Sequence, residues 1–269
     1  MNCKNCKTEL PETSNYCNFC GAKVIRNRLT IKALFSHFSE EFLSYDNKFL
    51  KTFIHLFSKP EAVIGCYING TRKKYVNVIS YFAIAITLTG IEYFILNKFY
   101  PEFLDISNLS AQGLETFSND IMKFVQDYQS FVLMLFVPVY AFMAKLVFFN
   151  IKKYNYTEHL VVFMYIIAQL SVIGALIFIP SAMFGIKMGM VSPLILLTQL
   201  VYSAYCLKRL YNLSFGGIIL RTLLFILVFI VLYIITLIIV FGIIFLTQGS
   251  DFFKEIIEAQ NAAKEASGG

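Results

Sequence analysis

The sequence predicts an all-α polytopic membrane protein with a small cysteine-bearing head. Three observations carry this expectation. Of the 269 residues 57% are hydrophobic, and the mean hydropathy is +0.64; soluble domains run at about 45–50% apolar. The apolar residues gather into five blocks, each near the roughly 20 residues that a helix needs to cross the hydrocarbon core. The polar N-terminus, by contrast, holds four of the six cysteines, all between positions 3 and 20.

Residues 1–27 form the cysteine module and residues 28–74 a juxtamembrane segment. In that segment Leu29, Ala33, Leu34, Phe38, Phe42 and Leu43 share one face at helical spacing. Phe49, Phe53, Ile54, Leu56 and Phe57 do the same in a second run. Two short amphipathic helices are expected, resting on the bilayer surface or on the bundle itself. Pro60 is expected to end the second, and "INGTRKK" marks a turn followed by a basic collar.

The bundle occupies residues 75–247. Its spans are expected at about Tyr75–Asn97, Ser130–Asn150, His159–Pro180, Ser192–Leu210 and Gly217–Thr247. Pro138 is expected to kink the second, and the length of the fifth lets it tilt or project. Residues 248–269 form a polar, external tail.

Charge sets the expected orientation. With the N-terminus inside, 18 of the 23 Lys and Arg residues fall on the inner side, loop by loop. The loop at 98–129 carries Glu102, Asp105, Glu115, Asp120 and Asp127 and reads as external. The formal net charge of +6 therefore reports topology, and a nucleic-acid partner is not expected. No apolar stretch precedes residue 75, so the head is expected to stay in the cytoplasm and the chain in a bacterial inner membrane.

Cys3-x-x-Cys6 and Cys17-x-x-Cys20 are two CxxC turns. Each places two thiolates on one side of a metal, and two such turns complete a tetrahedron around Zn²⁺. Gly21 follows the last cysteine, where the turn favours positive φ. A segment this small has almost no core, so the metal supplies its folding energy. The sharper alternative is a redox dithiol, although nothing nearby resembles a thioredoxin-like βαβ frame. Four sulfurs saturate zinc, so the zinc ribbon is expected to be structural, a docking knob. Cys66 and Cys206 read as packing residues.

His37, His55 and His159 show no metal spacing and read as solvated, interfacial side chains, with Glu158 a cap at the start of the third span. Polar residues inside spans carry more weight, because hydrocarbon makes them costly. Glu92, Gln169 and Gln199 are such residues. They either converge in one polar pocket, or Glu92 snorkels outward while the glutamines bond between helices. Arg72, Lys73 and Lys74 form a collar that meets lipid headgroups or a partner.

On these residues the chain resembles a membrane protein family, frequent in Bacteroidota, of unknown function and with an N-terminal zinc ribbon. The resemblance rests on Cys3, Cys6, Tyr16, Cys17, Cys20 and Gly21; on Arg28-Leu29-Thr30; on Asn47 with Phe49-Leu50-Lys51-Thr52; and on Pro60. It closes with Tyr67-Ile68-Asn69-Gly70-Thr71-Arg72-Lys73-Lys74-Tyr75. Glu61 and Val78 depart from its usual Gly and Pro. It implies zinc and a membrane, and no activity. The layout of a cytoplasmic head and five spans is also similar to the Yip1 family of membrane-trafficking proteins.

The expected function is a non-catalytic adaptor or accessory subunit of a larger membrane assembly, such as one for export, envelope biogenesis or membrane-protein insertion. Its partners would be membrane lipids and a membrane protein or a second copy of the chain. The alternative is a transporter or lipid-handling protein using a pocket around Glu92, Gln169 and Gln199. A membrane enzyme ranks last, since no catalytic constellation is visible.

Overall fold

The computed structural model describes residues 1–24, 48–104 and 123–248. The first amphipathic run, His37 and the C-terminal tail lie outside them. The chain divides into two compact units, Met1–Asn47 and Lys48–Gly269. Among the described residues the structure is all-helical, apart from two isolated β-bridges in the cysteine module.

In the second unit the elements run α1 (Lys48–Ser58), α2 (Pro60–Ile68), α3 (Val78–Phe99), a 3₁₀ turn (Pro101–Leu104), α4 (Gln129–Val147), α5 (Tyr156–Met183), α6 (Met188–Tyr211) and α7 (Phe215–Gln248). The last five helices are long and apolar enough to cross a membrane. They match the five expected spans to within a few residues at each end. Helix α5 is the hub and packs against α3, α4 and α6.

Helix ends follow local chemistry. Asn77 caps α3 by accepting from the Ile79 amide at 3.0 Å. At the start of α5 the Asn155 side chain accepts from the Glu158 amide, and the Glu158 carboxylate accepts from the Asn155 amide. This reciprocal capping box places Glu158 in the capping role expected of it.

Helix α2 is an addition to the expected elements. Pro60 ends the amphipathic helix at Ser58, as expected, and also opens a further helix, because proline at a first helical position gives up only an amide that has no partner there. Helix α2 ends at Asn69-Gly70-Thr71. The Thr71 amide donates to the Cys66 carbonyl at 2.7 Å and the Gly70 amide to that of Tyr67 at 3.1 Å. Gly70 has φ +86°, the left-handed geometry that this double closure requires.

Helices α1 and α2 belong to the bundle. Thr52, Leu56, Val63 and Ile64 are completely buried. The last carbonyls of a helix have no partner within it, and here neighbouring spans supply one. Tyr202 donates to the Leu56 carbonyl at 3.1 Å and Tyr205 to that of Ser58 at 3.3 Å. The Gln169 amide donates to the Phe53 carbonyl at 3.2 Å. Of the two supports expected for this amphipathic helix, the structure shows the bundle.

One ion pair adds to this seam. Arg209 on α6 grips Glu61 on α2 with two bonds, Nη2 to Oε1 at 2.5 Å and Nε to Oε2 at 3.1 Å. The guanidinium holds the Glu61 carboxyl below the usual carboxylate range. The pair is partly exposed, so its worth is at most about 1 kcal/mol. The contribution is present above the pKa of the unfolded carboxyl and fades as pH falls through the lower folded value. Glu61→Gln is therefore expected to lower the thermal midpoint slightly at pH 7. The gap from the parent should close on acidification, as read by thermal unfolding at a series of pH values.

His159 is a correction. It is 1% exposed, not solvated. Its Nδ1 donates to the Asn155 carbonyl at 2.8 Å, which leaves Nε2 to accept from the Tyr211 hydroxyl at 2.7 Å. Cys206 is fully buried and Cys66 half-buried, both packed in the bundle core.

Candidate functional site

The cysteine module is built from two copies of one turn. Lys7 N donates to Cys3 O at 2.9 Å, and Gly21 N to Cys17 O at 2.9 Å. Cys3 N donates to Thr8 O, and Cys17 N to Ala22 O. Leu10 N closes on Met1 O, and Val24 N on Asn15 O. Each pair is offset by the same fourteen positions, so residues 1–10 and 15–24 are structural repeats. Gly21 has the expected positive φ, +71°. Its counterpart is Lys7 at φ +64°, a non-glycine residue in the left-handed region. The repeat is visible as x-x-Cys-x-x-Cys at that spacing, and aligning the two halves would have found it.

The turns face one another. Cys3 Sγ lies 3.7 Å from Cys20 Sγ, and Cys6 Sγ 3.6 Å from Cys17 Sγ. All four sulfurs lie within 4.8 Å of one another. A tetrahedron with Zn–S of about 2.3 Å has S···S edges of about 3.8 Å. The four thiols therefore fit a metal of that size, and all four cysteines are free of disulfides. The Thr8 hydroxyl, 3.2 Å from Cys6 Sγ, helps pull that thiol down to about 6. The Cys20 amide pulls Cys17 down, but desolvation and the neighbouring thiols outweigh it and push Cys17 up to about 11. Adjacent thiolates repel, and a central dication removes the conflict.

The collar residues Arg72, Lys73 and Lys74 follow the α2 turn, and all three are exposed. The Arg72 guanidinium lies over the Tyr67 ring at 5.3 Å and the Lys74 ammonium over the Tyr75 ring at 5.5 Å. The segment behind them is fixed. Tyr75 meets His55 at 2.8 Å, the Val76 amide donates to Thr52 Oγ1, and the Tyr165 hydroxyl donates to the Val76 carbonyl. The collar is thus presented from a rigid base.

The intramembrane polar residues are not gathered into one pocket. Gln169 is fully buried and accepts from the Tyr81 hydroxyl at 2.5 Å while donating to Phe53. Glu92 lies eleven positions beyond Tyr81 on the same helix, about 16 Å along its axis. It is 5% exposed, buried rather than snorkelling outward, with no hydrogen-bond or ion-pair partner among the described residues. Gln199 lines a separate cleft, whose walls include neither Glu92 nor Gln169. The reason for the dispersal is register: helix pairing sets each residue's depth and direction, and position along a single span does not.

That cleft, of about 570 Å³, lies between α4, α5, α6 and α7. Its walls are apolar and aromatic, with Arg221 and the small polar side chains of Gln199, Ser203 and Thr222. No polar residue in this wall except Gln199 featured in the expected pocket.

Comparison with known families finds one match over residues 46–90, to a family described as a protein of unknown function, DUF3667. The matched stretch holds α1, α2, the collar and the first half of α3. It includes Asn47, Pro60 and the Tyr67–Tyr75 motif, and excludes the cysteine module. No curated protein and no solved structure matches the chain.

Proposed function

We propose that this chain is a non-catalytic adaptor or accessory subunit of a larger membrane assembly, in which a zinc ribbon serves as the cytoplasmic docking module. The observation that carries the reading is the closed tetrathiolate arrangement of Cys3, Cys6, Cys17 and Cys20 in a compact unit distinct from the bundle. Four protein sulfurs leave a zinc ion no open position for substrate, which is the pattern of structural rather than catalytic sites. The bias of basic residues supports an orientation with this head in the cytoplasm, and the resemblance to bacterial membrane proteins supports placement in a bacterial inner membrane. The fifth span supports a membrane-embedded partner or a second copy of the chain. Among the described side chains of α7 only Ile218 is fully buried and Phe225 and Val228 pack partly on the bundle core, so much of its surface is open to lipid or another protein.

The test is a tagged purification of the full chain from native membranes in mild detergent, beside a Cys17→Ser, Cys20→Ser variant. Mass spectrometry identifies what is retained. A stoichiometric protein partner that the variant loses is the expected result. A partner retained equally by both would move docking to the helices, and the absence of any partner would remove the adaptor reading.

A further inference from the structure

We infer that the cleft between α6 and α7 is a binding site for one anionic phospholipid, held by its phosphate at Arg221. The inference rests on no part of the docking reading.

The depth of the cleft fits a lipid. On α7 its wall runs from Ile218 to Phe229, about 16 Å of helix at 1.5 Å per residue. A hydrocarbon core of about 30 Å gives each monolayer about 15 Å. On α6 the wall runs from Pro193 to Leu207, about 21 Å, so the cleft is deeper than one monolayer on that side but stops well short of the full core. A transmembrane partner helix would need to continue through both monolayers.

Its two ends differ in chemistry. The Arg221 end lies where α4 finishes, at Phe148, and where α6 nears its end, at Leu207. Lys145 belongs to the last turn of α4 and Lys208 to the last turn of α6. The far end, near Pro193 and Phe229, is apolar. No Asp or Glu lines any part of it, so nothing in the wall would pair with the ammonium of a zwitterionic headgroup. A lipid seated here would place its phosphate among cations and its acyl chain against Phe163, Leu200 and Phe225.

Arg221 itself has capacity to spare. Its Nη1 donates to the Gly217 carbonyl at 3.2 Å, and its guanidinium carbon lies 5.5 Å over the Phe148 ring. Its Nε is buried with no hydrogen-bond partner among the described residues. A buried guanidinium donor without a partner is costly, and the planar fork of arginine is matched to phosphate oxygens. Nε itself is enclosed, so the phosphate would be held by the Nη2 edge of the fork, which has no partner among the described residues.

The experiment uses the full chain, delipidated in mild detergent and titrated with phosphatidylglycerol and with phosphatidylcholine of the same acyl composition. Native mass spectrometry reads lipids bound per chain. The expected result is one tightly held phosphatidylglycerol, preferred about five- to tenfold over phosphatidylcholine. Arg221→Gln is expected to erase that preference while leaving residual, headgroup-blind binding. Leu200→Trp, at an exposed position on the cleft wall, is expected to reduce binding of both lipids at least fivefold. It keeps the test decisive if the Arg221 variant is unstable. Equal retention of the two lipids by the parent chain would overturn the inference. So would full preference in Arg221→Gln, undiminished binding in Leu200→Trp, or a protein segment found in the cleft in place of lipid.

Discussion

Replacing Cys17 and Cys20 by serine is expected to abolish zinc retention and unfold residues 1–24 while the helical bundle stays intact. The size of the effect follows from how little else holds the module. Its buried side chains are Cys3, Leu10 and Cys17, with Cys6, Ala22 and Val24 packed against them. Leu10 is the one large aliphatic among the buried three, and burying it contributes only about 2 kcal/mol. Ordering each backbone residue costs about 1–2 kcal/mol. Structural zinc contributes about 10–16 kcal/mol in small metal-dependent domains, so the metal decides whether the module is folded. Limited proteolysis should cut the variant rapidly before residue 25 and leave the helices of the bundle protected. Loss of bundle stability as well would show that the two units are not energetically separate.

The second large effect is expected at Gln169. This side chain joins three elements: α5 carries it, α3 supplies the Tyr81 hydroxyl and α1 supplies the Phe53 carbonyl. Gln169→Leu removes both bonds and strands a tyrosine hydroxyl in a fully buried position. The cost is about 2 kcal/mol, since hydrogen bonds between membrane helices average less than about 1 kcal/mol and an orphaned donor adds its own penalty. Adding Tyr81→Phe removes the orphan, so the double variant should be less destabilised than the two single changes combined. Tyr205→Phe, whose hydroxyl bond is exposed, should have a much smaller effect. Thermal unfolding in detergent ranks the four proteins. Simple additivity of the Gln169 and Tyr81 changes would contradict this role.

The sequence made the spans readable because each is a continuous apolar block, and the cysteine cluster readable because CxxC spacing dictates geometry directly. Helix α2 was hidden by an ambiguity of proline, which stops one helix and starts another equally well. The burial of His159 depends on Tyr211, far along the chain and brought near only by helix packing. The same is true of the tyrosines that bind the carbonyls of α1. Glu92 and Gln169 are legible in the sequence as polar residues within apolar blocks, and both are buried. Their separation depends on the register between α3 and α5, which hydropathy does not encode. In the sequence Arg221 reads only as an inner-side charge, and its place in the cleft emerges when α7 is set against α4 and α6.

The zinc centre admits one direct test: metal content of the full-length protein by elemental analysis, joined to zinc K-edge X-ray absorption. A closed ribbon predicts one zinc per chain and a first shell of four sulfurs at about 2.3 Å. Absence of zinc, or a shell containing fewer than four sulfurs, would contradict the closed structural site on which the docking role depends.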